Sequence, residues 1–218
     1  GKICVVIDVL RATTTVCAAL DNGALSVIPV RDVEQALSLQ KEGNLVGGER
    51  NGIKISEFDF GNSPKEYTPE LIEHKKVVLT TTNGTKAIDL SSDAKEIFAA
   101  SFANISALCA YLKSSDLDIV LFCAGWKNRV NLEDSLFAAT VMHSLSDYCA
   151  PTGDSAQLLS QWYDGLDNNL TRGKILRNAS HVHRFEKLGV TDLEYCITDD
   201  LHPVLPKLQN GELVDIHS

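Results

Sequence analysis

Acidic, basic and hydroxyl residues in this chain recur directly after short apolar runs. Asp8 follows Ile3–Ile7, with Arg11 and Thr13-Thr14-Thr15 close behind. Glu49-Arg50 follow Asn44–Gly48, and Thr82-Asn83-Gly84-Thr85 follow Val77–Thr81. Ser101 closes the run from Ile97, and Cys123-Ala124-Gly125 close the run from Ile119, ahead of Glu133-Asp134. Asp8, Glu49, Glu133 and Asp134 offer hard oxygens, which suit magnesium and not zinc or copper. Arg11 and Arg50 are planar forks that match phosphate or carboxylate. Thr82–Thr85 places hydroxyls and backbone N–H groups at a helix start, where the dipole favours anions. Together these groups suit a metal-bound phosphate ester, with a metal that polarises the phosphoryl group and activates water.

Each group alone has a structural reading. A strand-end Asp caps helices, threonines favour strands and caps, and Glu133-Asp134 complement a helix dipole without any ligand. Convergence at strand ends favours the chemical reading. In open α/β sheets, ligands bind beyond the carboxyl ends of the strands. Cys123 to Arg129 imitates the C-x5-R loop of cysteine phosphatases but lacks the extra glycines that would cradle phosphate. His181 and His183 are two apart, which does not put both on one helix face. No histidine is assigned to catalysis, and zinc is not expected.

The elements that must position these groups alternate. Strands are expected at Ile3–Ile7, Leu25–Val30, Asn44–Gly48, Val77–Thr81, Ile97–Ser101 and Ile119–Cys123. Helices are expected at Thr13–Leu20, Asp32–Leu39, Thr85–Leu90, Ile105–Leu112 and Leu132–Leu145. This pattern predicts α/β architecture with a mainly parallel sheet covered on both faces. Ala156–Asn168 and Lys174–Leu188 read as helices, giving a helical C-terminal region within one domain, 1–218. Residues 48–70, rich in Gly and Pro, form a long connection of the kind that is often functional, with a small edge strand near Phe58–Phe60 as the alternative.

Composition narrows the function. A net charge of −9 argues against general nucleic-acid or membrane-surface binding, and the apolar runs are too short to span a bilayer. Six cysteines without a C-x-x-C pair read as buried thiols in a reducing, cytoplasmic setting. Gly1-Lys2 lead straight into an apolar strand with no signal-peptide pattern, although the absence of a starting Met leaves targeting open.

The order of these blocks resembles the 2-phosphosulfolactate phosphatase family. The resemblance rests on Asp8-Val-Leu-Arg11-Ala-Thr13-Thr14, Gly47-Gly48-Glu49-Arg50-Asn51-Gly52, Phe60-Gly61-Asn62-Ser63-Pro64, Thr80-Thr81-Thr82-Asn83-Gly84-Thr85, and Ala124-Gly125 with Glu133-Asp134. It is looser beyond residue 140, through Arg184–Gly189 and Tyr195-Cys196. It implies a three-layer α/β/α fold and magnesium-dependent hydrolysis of 2-phosphosulfolactate to sulfolactate, which in some organisms serves coenzyme M biosynthesis. It further implies Asp8, Arg11 and Glu49 in catalysis, and Arg50, Asn62, Ser63, Thr82, Asn83, Gly84 and Thr85 on the substrate. Asp8, Glu49, Glu133 and Asp134 would serve the metal. Arg50, Lys127 and Arg129 are the expected readers of the sulfonate. Metal-activated water and Asp8 itself both remain open as nucleophile, and a homodimer is left open. The nearest rival, a haloacid-dehalogenase-type phosphatase, needs an acid two residues after its first Asp, where this chain has Leu10. The other rival is a non-enzymatic α/β binding module, which would release no phosphate from any ester.

Overall fold

The computed structural model describes residues 1–167 and 169–217. Its elements in chain order are β1 (Lys2–Ile7), α1 (Ala12–Asp21), β2 (Ser26–Pro29), α2 (Val33–Lys41), β3 (Leu45–Arg50), β4 (Ile53–Lys54), α3 (Pro69–Ile72), β5 (Lys76–Thr80), α4 (Gly84–Leu90) and β6 (Glu96–Ala100). They continue with α5 (Ile105–Lys113), β7 (Asp118–Cys123), α6 (Leu132–Ser144), α7 (Asp154–Asp164), α8 (Arg172–Leu176), α9 (Ser180–Lys187), α10 (Leu193–Cys196), β8 (Pro206–Gln209) and β9 (Glu212–Asp215). Every strand expected from the apolar runs is present. The helix expected over Lys174–Leu188 is divided into α8 and α9, and the Asn168 end of its predecessor lies outside the described residues.

The strands form one nine-stranded sheet in the order β4-β3-β5-β2-β9-β8-β6-β1-β7. It is mixed, and the expectation of a mainly parallel sheet is corrected here. Two parallel blocks, β3-β5-β2 and β6-β1-β7, are separated by the antiparallel hairpin β9-β8. The C-terminal region is therefore not purely helical, because it supplies the centre of the sheet. The hairpin has a sequence signal: Asn210-Gly211, both at positive φ, is the favoured two-residue turn between strands.

Register places the chemistry. Ile7 lies between Ala100 and Cys123, so Asp8, Ser101 and Ala124 emerge side by side. In the other block Gly48 pairs with Thr80, which sets Glu49 beside Thr81. Three successive antiparallel pairings, β2-β9, β9-β8 and β8-β6, make the two blocks run in opposite senses. Twist of about 20–25° per strand, accumulated across the hairpin, turns them out of strict opposition.

Helix α1 spans this junction, touching β2, β6, β8 and β9. Its residues from Ala12 to Leu20 are all buried, which explains its small side chains. The threonine run is spent on positioning. The Thr13 hydroxyl accepts the Asp8 N–H, Thr14 donates to the Val9 carbonyl, and Thr15 donates to the Asn62 carbonyl. Cores lie on both faces of β1. Ile3, Val5 and Ile7 pack with α5, α6 and α9, while Cys4 and Val6 pack with α1 and α4. Among the described residues, no helix is long and apolar enough to cross a membrane.

Gly48 has φ 145°, and a Cβ there would stand 2.0 Å from the Thr80 carbonyl oxygen. Gly48→Ala should therefore force β3 and β5 apart and cost about 1–3 kcal/mol. Urea denaturation measures this, and an unchanged midpoint would show that the strands do not need so close an approach.

Candidate active site

A cavity of about 240 Å³ opens where the two blocks meet. The end of β1 contributes Asp8, Leu10 and Arg11, and the end of β3 contributes Glu49, Asn51 and Gly52. The β5–α4 turn adds Thr81, Thr82, Asn83 and Lys86. Trp126, Lys127 and Asn128 come from the loop after β7, and His181, Arg184 and Phe185 from α9. A Cβ on Gly84 would lie 3.1 Å from Asp8 Oδ2 and 2.6 Å from Ala12 Cβ, so only glycine lets the α4 turn come this near the Asp8 carboxylate.

The carboxylates occupy three different situations. Asp134 is fully buried, and its two oxygens accept the N–H groups of Val9, at 2.9 Å, and Gly125, at 3.1 Å. It ties the β1 loop to the β7 loop. Glu49 accepts the backbone N–H and hydroxyl of Thr82, each at 2.9 Å, and the Gly52 N–H. It ties β3 to the β5 turn. Glu133 accepts from Asn131 Nδ2 at 2.9 Å and pairs with His181 Nδ1 at 2.6 Å, while its Oε2 is buried without a partner. Asp8 has one long hydrogen bond, 3.4 Å from the Ala12 N–H, and it faces the cavity.

Burial raises the Asp8 pKa from the ordinary 3.8 to about 6, against the pull of His181 and the Ala12 N–H; Glu49 and Glu133 push it up further. Burial also raises Asp134 well above the carboxylate range, reinforced by Asp8 and Glu133. Burial pushes the Cys123 thiol up, with Asp134 and Glu133 adding to the effect, which leaves it protonated and unsuited to attack.

Of the residues expected at the site, Asp8, Arg11, Glu49, Asn62, Thr82 and Asn83 line the cavity. Several others do not. Arg50 donates to the carbonyls of Glu49 and Arg31 and to the Thr80 hydroxyl, so its fork is consumed in joining β3 to β5. Ser63 donates to Asp192, and Thr85 donates to the Thr81 carbonyl. Arg129 lies outside the lining, whereas Lys127 belongs to it. Glu133 and Asp134 sit behind the cavity wall, and no group of three or more His, Cys, Asp or Glu is arranged to hold a metal among the described residues.

The sequence reading expected a helix at α9 but missed that its residues His181, Arg184 and Phe185, and Lys86 of α4, line the cavity. His181 and Phe185, four apart, share the buried face of α9, while His183 points outward toward Glu186. Arg184 reaches the Asn51 carbonyl and lies 5.5 Å from the Trp126 ring centroid. Lys86 donates to Asn128 Oδ1 at 3.0 Å, which draws α4 and the 125–130 loop together. Arg11 pairs with the buried Asp192 at 2.9 Å, lies over the Phe185 ring, and keeps an Nε–H without a partner.

A family model described as 2-phosphosulpholactate phosphatase matches residues 1–211. A relative from Thermotoga petrophila is 47% identical over 96% of this chain and 90% of its own length. One from Caldanaerobacter subterraneus subsp. tengcongensis is 39% identical over 95% and 88%, and one from Clostridium perfringens is 35% identical over 100% and 90%. Each of these relatives is named "Probable 2-phosphosulfolactate phosphatase".

The raised Asp8 pKa has a consequence for stability. The folded value lies above the unfolded one, so the native state holds this proton more tightly, and stability is lost as pH rises from about 4 through 6. Asp8→Asn should then stabilise the metal-free protein at pH 7 by on the order of 2–3 kcal/mol, with little gain at pH 3.5. Urea midpoints measured in chelator at both pH values check this; a variant no more stable at pH 7 would refute the desolvation of Asp8.

Proposed function

This chain belongs to the 2-phosphosulfolactate phosphatase family, and on that premise we propose that it hydrolyses 2-phosphosulfolactate to sulfolactate and phosphate. The observation that carries the reading is the cavity's charge. A protein of net charge −9 gathers Arg11, Lys86, Lys127 and Arg184 around one small space beside a desolvated carboxylate. Its size suits a three-carbon metabolite, and its cations suit a molecule bearing phosphate, carboxylate and sulfonate. Leu10 lines the cavity where the haloacid-dehalogenase rival would need its acid, which disfavours that chemistry.

Magnesium fits this donor set in a restricted way. The ion is commonly held by one or two protein carboxylates, with waters and substrate phosphate oxygens completing its shell. Asp8 is the carboxylate whose oxygens are least committed, and Glu49 lies beside it, while the oxygens of Asp134 are spent on backbone N–H groups. Asp8 would therefore hold the ion, with Glu49 next to it, and Asp134 would set the loops. Bound magnesium would supply positive charge to the phosphoryl oxygens.

The protein's own groups account for binding. Arg11, which keeps an unpartnered Nε–H, and Asn83 line the cavity and would meet phosphate oxygens. Arg184 and Lys127, both close to Trp126, are the readers we assign to the sulfonate in place of Arg50. Asn62 Oδ1 is a buried acceptor without a partner at the same wall. Cores on both faces of β1 support the layered α/β/α arrangement, and six free cysteines suit the cytoplasm.

Two measurements test this reading. Phosphate release from 2-phosphosulfolactate should require magnesium, and its absence under both conditions would refute the activity. Arg184→Ala should lower kcat/KM for 2-phosphosulfolactate by roughly ten- to a hundredfold, since hydrogen bonds to charged groups are worth about 1.5–3 kcal/mol, while phospholactate suffers less. Arg50→Ala should affect both esters alike. Equal losses on the two esters in Arg184→Ala would remove that residue from sulfonate recognition.

A further inference from the structure

Beyond binding and the metal, the ester oxygen has to leave. An alkoxide is a strong base, and its departure is eased by a proton delivered as the bond to phosphorus breaks. Among the cavity's carboxylates, Glu49 is engaged by Thr82 and Gly52, and Asp8 is the one assigned above to magnesium. Leu10 excludes the acid that a related chemistry would use.

One side chain is built for this task. His181 is buried on α9 and lines the cavity. Its Nδ1 lies 2.6 Å from Oε1 of Glu133, a residue with no exposed surface. The same oxygen takes a second hydrogen bond from Asn131 at 2.9 Å, so Glu133 is itself held in place. The imidazole stacks on Trp126, with centroids 5.3 Å apart and planes 10° from parallel, and Phe185 packs against it at 4.5 Å. The carboxylate fixes which nitrogen points where, and the two rings fix the plane. Nε2 is left as the nitrogen available to the cavity. A histidine that only filled space would need none of this support.

We propose that His181 is the general acid of the reaction, giving its Nε2 proton to the bridging ester oxygen, and that Glu133 is its positioning residue. This rests on the phosphatase reading above. As the phosphorus–oxygen ester bond breaks, its electron pair stays on the departing oxygen, which takes the proton and leaves as the alcohol. Over the full turnover, water supplies both the oxygen gained by phosphorus and the proton that restores His181, and nothing is oxidised or reduced.

The test compares two leaving groups in the full-length protein with magnesium. From phospholactate the leaving group is the lactate alkoxide, which needs the proton; from p-nitrophenyl phosphate it is the stable p-nitrophenolate, which does not. His181→Ala should lose about 10²–10⁴-fold in kcat/KM on phospholactate, the range typical of general acid catalysis, and less than tenfold on the aryl ester. Glu133→Gln, which keeps the shape of the support, should show the same bias with a smaller loss, so the idea remains testable if the alanine variant folds poorly. Equal losses on the two esters, in either variant, would make these residues structural and overturn the proposal. Parent protein inert on both esters and on 2-phosphosulfolactate would instead overturn the phosphatase reading beneath it.

Discussion

A carboxylate taken out of water must be met by donors, by a counter-charge or by a proton. Four carboxylates at the junction of two sheet blocks face this requirement, and the answers they receive organise the site. Asp134 is met by the N–H groups of Val9 and Gly125, Glu49 by Thr82 and Gly52, and Glu133 by Asn131 and His181. Each answer pins one loop to another. Asp8 alone is left with a single weak donor, and burial raises its pKa to about 6. Glu133 keeps one buried oxygen without a partner behind the wall, whereas the weakly met Asp8 faces the cavity, where a ligand would supply what the fold withholds.

The same division separates what was legible in the sequence from what was not. Apolar runs followed by polar residues located every parallel strand end, and with them Asp8, Glu49, Thr82 and Asn83. Side-chain direction was not legible. Arg50 sits in the same block as Glu49 and has the chemistry to bind an anion, yet its neighbours in space are carbonyls of Glu49 and Arg31. Whether a cation is spent inward or left for a ligand depends on partners that a linear reading does not pair. His181 shows the converse case. Its i, i+4 spacing from Phe185 was not read as a buried face, and the residue that gives that face chemical meaning is Glu133, 48 positions earlier in the chain.

The mixed sheet has a similar origin. Alternating strands and helices up to residue 145 describe two parallel blocks correctly, but nothing in that stretch says that the blocks are not adjacent. Asn210-Gly211 carries the turn signal between Lys207-Leu208 and Leu213-Val214, but a turn signal does not say which earlier strands the hairpin joins.

That hairpin inserts β9 beside β2 and β8 beside β6, closing the sheet from its middle. Among the described residues, it follows every other strand in chain order, so it is made after them. While the ribosome is still adding residues, the parallel pairings within each block, themselves long-range between β1 and its partners β6 and β7, can form, but the surface that joins the blocks does not yet exist. Asp8 and Glu49, made long before this hairpin, therefore have no fixed relation until it arrives. Contacts of such long sequence separation are slow to form, and until they form the facing edges of β2 and β6 remain open to pairing with other chains. Folding of this protein is thus expected to depend on β8 and β9 far more than a building order of successive βαβ units would suggest, and crowded nascent chains would be its most vulnerable state.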